Sequence, residues 1–160
     1  MRSWIWMMMP VLFLTACYPL PQEKEVFSEG EQELIFAGDS TEAMRVLLIT
    51  EPSDSIFLRT SSDSINLAGH EEEVRYFAQR LYRTVTDSMS LGVGIAAPQV
   101  GVLKRMIWVQ RFDKEGLPFE CYINPEILQY SEKTQQCREG CLSIPNRTDT
   151  MNSRAYAILL

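Results

Sequence analysis

Histidine is nearly absent from this chain: His70 is the only one in 160 residues. A helix-borne histidine pair, the usual way to close a catalytic zinc or iron site, is therefore excluded within these residues. Basic side chains are in the minority, with 15 Lys and Arg against 21 Asp and Glu and a net charge of −6. No Lys/Arg stripe breaks that balance, and a nucleic-acid partner needs a basic footprint for its phosphates, so that class is excluded. There is no C-x-x-C; Cys137 and Cys141 are four apart, which argues against a dithiol redox module. Internal repeats and low-complexity tracts are missing too. What remains is an ordinary globular composition, 46% hydrophobic and 22% charged, with room for one domain and a tail.

The first residues do not read as fold. Arg2 supplies a positive charge, Trp4 to Leu14 is apolar apart from Pro10, and Leu14-Thr15-Ala16-Cys17 follows. An apolar stretch this short does not reach the about 20 residues of a membrane span, but it suits the apolar core of a signal peptide. Small residues ahead of a cysteine resemble the lipobox of bacterial lipoproteins. The expectation is a signal peptide over residues 1–16 and a diacylated Cys17 that anchors the protein to a membrane of the bacterial cell envelope. An ordinary signal peptide or a buried N-terminal strand is the alternative, and without export the protein is cytoplasmic. Residues 17–42, with prolines, acids and glycines in no clear period, read as a tether, leaving 43–160 for the domain.

Patterning begins near Met44. Val46-Leu47-Leu48-Ile49, closed by Pro52, reads as a strand or tight extended segment. The clearest element is a helix from about Gly69 to Met89, whose Val74, Phe77, Ala78, Leu81, Tyr82, Val85 and Met89 form one apolar stripe. Glu71, Glu72 and Glu73 in its first turn offset the helix dipole, and Gly92 follows as a stop. Arg105 to Val109 and Cys121 to Ile123 read as strands joined through the turn Asp113-Lys114-Glu115-Gly116, a hairpin. Ile127 to Tyr130 is a further strand candidate, and Ala155 to Leu160 begins another. One long helix followed by mostly antiparallel strands gives an α+β fold.

Two motifs carry chemistry. Gly92-Val93-Gly94-Ile95-Ala96-Ala97-Pro98-Gln99 begins like a dinucleotide fingerprint, but a helix precedes it, and only Pro98 to Lys104 separates it from the next strand. No crossover helix fits, which excludes that fold. A tight turn explains the glycines alone. Small residues beside them also let a bound peptide backbone approach, and Gln99 can aim an amide N–H at a developing oxyanion. In Glu139-Gly140-Cys141-Leu142-Ser143-Ile144-Pro145, a turn presents the Cys141 sulfur to a metal or substrate. A buried thiol or half a disulfide is the alternative.

Together, the Gly-Val-Gly-Ile-Ala-Ala-Pro-Gln stretch and the Glu-Gly-Cys-Leu-Ser stretch, whose cysteine follows Gln99 by 42 residues, resemble the first two signature motifs of peptide deformylases. The resemblance covers roughly residues 44–160 and includes Ile123-Asn124-Pro125-Glu126. It implies a metal-dependent hydrolase that removes the N-formyl group from formyl-methionyl peptides. The implied metal is divalent, iron(II) or in its place zinc or nickel, held by a cysteine and the two histidines of H-E-x-x-H. Carried over by position, the resemblance makes Cys141 the metal ligand, Gln99 and the backbone N–H of Leu142 the oxyanion donors, and Gly94 and Ile95 the backbone lining of the peptide groove.

The third motif, H-E-x-x-H, is absent, and His70 at a helix start reads as a solvated residue. A truncated, inactive chain whose missing end carries the metal helix is the expectation. The alternative is a non-catalytic, lipid-anchored peptide-binding or vestigial domain. Formylated peptides arise in the cytoplasm, so export of Cys17 implies a changed or secreted substrate. In an oxidising compartment Cys137 can pair with Cys121 or with Cys141, a choice the spacing leaves open.

Overall fold

The computed structural model describes residues 25–87 and 92–160. Cys17 and the expected signal peptide lie outside the described residues, as do the last residues of the predicted long helix. The elements are α1 (Glu29–Phe36), α2 (Pro52–Phe57), α3 (Glu71–Val85), β1 (Gly94–Ala96), a 3₁₀ turn (Ala97–Val100), β2 (Met106–Gln110), β3 (Phe119–Ile123), β4 (Gln129–Tyr130), β5 (Thr134–Cys141), β6 (Ile144–Ala155) and β7 (Ile158–Leu159). Strands pair antiparallel in three sheets: β1-β2-β3, β4-β7 and β5-β6. The architecture is α+β, as expected.

Helix α3 buries Val74, Phe77, Leu81 and Val85 on the predicted face, and they meet Ile95, Val100, Val102 and Met106 in one cluster. Tyr82, on the edge of the stripe, stays 41% exposed and packs tilted against Trp108 and edge to face against Phe119, with ring centroids 4.9 and 5.8 Å away. The Trp108 indole N–H donates to the Ala78 carbonyl at 2.9 Å, fixing the helix on the sheet.

From Glu25 onward, the segment expected to be tether is instead part of the fold. Val26, Phe27 and Ile35 are buried in the same core, and Phe27 meets Phe77 edge to face at 5.5 Å. Ser28 and Glu31 form a reciprocal capping box that starts α1. Glu31 also accepts the Leu103 backbone N–H at 2.7 Å. At the other end, buried Arg80 donates to the carbonyls of Leu34 and Ile35 at 3.0 and 2.8 Å, satisfying acceptors that a helix end leaves open. These partners lie far along the chain, so the acid-rich local sequence does not announce them.

Residues 46–48 lie outside any named strand, and Ile49 already belongs to a turn closed by the Glu51 N–H on the Leu48 carbonyl at 3.1 Å. The chain from Thr134 to Ala155 forms a long hairpin, of which the sequence reading had no strand.

Candidate functional site

Gly92 follows α3 where a side chain would be crowded: a Cβ there would stand 3.0 Å from both Leu142 Cδ1 and Val85 Cγ2. The first motif thus meets the second at its first glycine. At Gly94 a Cβ would lie 3.1 Å from the Trp108 carbonyl oxygen, so this glycine keeps β1 tight against β2. Ile95 sends its side chain into the core, 3% exposed. Among the described residues, strand β1 has β2 on one side and no strand on the other. Both residues expected to line a groove by their backbone therefore sit on an edge strand.

The chain then turns through the 3₁₀ segment, closed by Gly101 with φ of +87°, where glycine is favoured. Within that turn the Gln99 side chain folds back. Its Oε1 accepts the Ala96 backbone N–H at 2.9 Å, which fixes which end of the amide is oxygen. The other end, Nε2, donates to Ser143 Oγ at 3.1 Å and faces Cys141 Sγ at 3.8 Å. Gln99 and Cys141 point at each other across the two motifs.

Cys141 ends β5, beside a register shift between Gly140 and Cys141, and its thiol is exposed at the hairpin tip. Leu142 next to it packs its side chain against the core, which anchors the tip. Ser143 is buried, and its carbonyl accepts the Ile49 backbone N–H at 3.0 Å. One step earlier, the Leu47 N–H donates to the Gln99 carbonyl at 2.7 Å. Residues 47–49 therefore bond to both motifs. Ser143 and this segment are partners of Gln99 that the sequence reading missed. The hydroxyl two residues past Cys141 was the only available signal.

The remaining cysteines are distinct in character. Burial pushes the Cys121 thiol up to about 11. The Cys137 thiol is also raised, chiefly because it donates to Glu139. Cys121, Cys137 and Cys141 all stand as free thiols. Glu139, of the second motif, is held in a two-point pair with Arg154 at 2.6 and 2.7 Å, which lowers its carboxyl to about 2, with the Cys137 thiol adding to the effect.

These donors do not by themselves fit a catalytic metal. Among the described residues no group of three His, Cys, Asp or Glu side chains converges on one point. His70 stands at the N-cap position of α3 without a side-chain capping bond, and it is not the solvated residue expected: its side chain is 13% exposed, with Nδ1 3.6 Å from Glu73. One thiol and one amide N–H leave too few ligands for a catalytic site.

Comparison with known proteins accounts for this pairing of motifs. The chain is 36% identical over 110 residues to the peptide deformylase of Rhizorhabdus wittichii, covering 65% of this chain and 59% of that one. To peptide deformylase 2 of Gloeobacter violaceus it is 44% identical over 85 residues, 52% of this chain and 44% of the relative. It thus spans less than two thirds of the length of these curated relatives. Among solved structures, it is similar to a class I type b peptide deformylase from Acinetobacter baumannii, with a TM-score of 0.62, 28% identity and 72% of each chain covered. The peptide deformylase of Thermotoga maritima gives 0.59 at 28% identity, covering 72% of this chain and 70% of that one. The family model described as Polypeptide deformylase matches residues 45–160, a span that holds both motifs, the β1 edge and the hairpin, and the chain belongs to that family.

Proposed function

We propose that this chain carries the peptide-receiving and oxyanion-stabilising half of a deformylase site, for substrates bearing an N-formyl-methionyl end. The observation behind this reading is the Gln99 amide, locked by Ala96 and held 3.8 Å from the Cys141 sulfur. An extended peptide adds to the open edge of β1 by backbone pairing along Gly94 and Ile95, a common mode of strand recognition. That places its formyl carbonyl toward Gln99 and Cys141. Gln99 Nε2 has two N–H groups; one is spent on Ser143, and the other is turned to the Cys141 sulfur, beside which the formyl oxygen would sit. With the backbone N–H of Leu142 it supplies two fixed donors for the tetrahedral oxygen, an arrangement in which each donor is worth about 3 kcal/mol in the transition state.

The family is metal-dependent, and Cys141 is the residue here suited to be a thiolate ligand of iron(II), zinc or nickel. The nitrogen ligands and the proton-shuttling carboxylate are not among these 160 residues, so water activation is assigned to none of them. Binding of formylated peptide without hydrolysis is the second reading for the chain alone, and the single histidine favours it. Substrate class is supported by relatives: the Acinetobacter baumannii deformylase has been solved with Met-Ala-Ser bound, and that of Vibrio parahaemolyticus bacteriophage VP16T with actinonin. Anchoring at the bacterial cell envelope through a lipidated Cys17 belongs to the same proposal, and mass spectrometry of the membrane fraction tests it.

The catalytic test is formate release from formyl-Met-Ala-Ser under anaerobic iron(II). The chain alone is expected to release none. A fusion to the H-E-x-x-H helix of a curated relative is expected to release formate, and Cys141→Ser and Gln99→Leu to abolish it. A correctly folded fusion that neither binds the peptide nor releases formate contradicts the proposal.

A further inference from the structure

Asp54 is a carboxylate the chemistry above does not use, yet it is only 7% exposed. It sits in the first turn of α2, and its Oδ2 accepts the Leu48 backbone N–H at 3.0 Å and Arg45 Nη2 at 2.7 Å. The Leu48 N–H, then Arg45, holds its carboxyl below the usual range. Leu48 is the middle residue of the segment that bridges the two motifs. Leu47 and Ile49 turn their N–H groups to Gln99 and Ser143, while Leu48 turns its own to Asp54.

The bonds close a ring. Leu47 N–H reaches the Gln99 carbonyl, the Gln99 side chain reaches Ser143 Oγ, and the Ser143 carbonyl takes the Ile49 N–H. Three chain segments, each remote from the others in sequence, thereby fix one side-chain amide. Asp54 holds the outer side of the ring, and Arg45, 64% exposed at its side chain, braces the carboxylate from solvent.

We infer that Asp54 is a positioning residue for the Gln99–Cys141 pair, acting through the backbone splint Leu47–Ile49 and the Ser143 hydroxyl. Loss of its carboxylate frees Leu48, lets the splint shift along its axis, and changes the distance between the Gln99 carbonyl and the Ser143 carbonyl. The amide of Gln99 then loses Ser143 as a fixed acceptor. This rests on the proposed role of Gln99, but the arrangement of the ring can be read without any deformylase chemistry.

The experiment is nuclear magnetic resonance of the ¹⁵N-labelled chain, following the two Nε2 protons of Gln99, assigned by their loss in Gln99→Leu. In the native chain they are expected as a well-separated pair outside the envelope of solvent-exposed glutamines. Ser143→Ala and Asp54→Ala are each expected to move the pair into that envelope, and Asp54→Asn, which keeps an oxygen for Leu48, to restore most of the native shifts. Should Asp54→Ala not fold, Asp54→Glu displaces the carboxylate by one methylene and is expected to move the pair in the same direction. An unmoved Gln99 pair in whichever Asp54 variant folds, even with a lowered melting temperature, makes Asp54 a brace for α2 alone and overturns the inference. An unmoved pair in Ser143→Ala removes the ring's last link and overturns it equally. Because no peptide, metal or formate enters the readout, failure of the deformylase proposal leaves this result interpretable on its own.

Discussion

The two halves of the described molecule are built to different standards. Between Val26 and Met106 lies every buried hydrophobic side chain of the described residues, all but Leu47 in the cluster around α3; from Ile107 to Leu160 only Ser143 is buried. In the second half Leu128, Tyr130, Ile158 and Leu159 are 69%, 62%, 49% and 55% exposed, and the β5–β6 hairpin is held by its backbone ladder and surface charges. A two-stranded ribbon is marginal by itself. Gln99 therefore stands on the rigid half and Cys141 on the compliant one, and the candidate site is the seam. Its geometry depends on a few bonds across that seam, chiefly at Ser143, more than on the depth of the core.

The contrast should show first in the core. Phe77→Ala, at a fully buried position, is expected to cost about 3–5 kcal/mol by cavity formation, whereas Tyr130→Ala in β4 should stay within about 0.5 kcal/mol. Urea denaturation of both variants measures the difference; equal losses would erase the distinction between the halves. Next is the attachment of α1. Arg80→Met leaves the Leu34 and Ile35 carbonyls without their donor, an expected loss of about 3 kcal/mol, with faster proteolysis inside residues 25–42. Unchanged cleavage there would return that segment to the status of a tether.

A smaller effect belongs to the capping box: Ser28→Ala is expected to destabilise by about 1 kcal/mol, read by thermal unfolding. The smallest is electrostatic and confined to the compliant half. Arg154, then the Cys137 thiol, lowers the Glu139 carboxyl in the fold from its ordinary 4.5 to about 2. A depressed carboxylate stabilises the folded state above its ordinary value and loses that contribution as pH falls from about 4.5 toward 2. Amide exchange in β5 and β6 should therefore rise across that window, less so in high salt, and Arg154→Gln should flatten the dependence.

Much of this was legible in the sequence wherever a local pattern governs. The stripe of α3 is a 3.6-residue period, the β2–β3 hairpin a pair of β-rich runs around a turn, and the motifs a run of small residues ending at Gln99 and a glycine-cysteine turn at Cys141. Elements stabilised by distant partners were not legible. Helix α1 carries one buried residue, Ile35, and takes its support from Arg80 and Leu103, so locally it reads as acidic linker. The β5–β6 hairpin is polar on nearly every position, without the alternation that marks a half-buried strand. Asp54 and Ser143 gain their meaning only from a ring that closes in three dimensions.

The measurement that bears most directly on the account is a nuclear Overhauser contact between the Gln99 Nε2 protons and the β-protons of Cys141 in the labelled native chain. Those side chains face each other at 3.8 Å, so a clear cross-peak is expected, and it should weaken in Ser143→Ala, where Ala96 alone holds the oxygen end of the amide. A resolved Gln99 amide with contacts only to its own turn, and none to Cys141, would separate the two motifs and leave the family fold without its site.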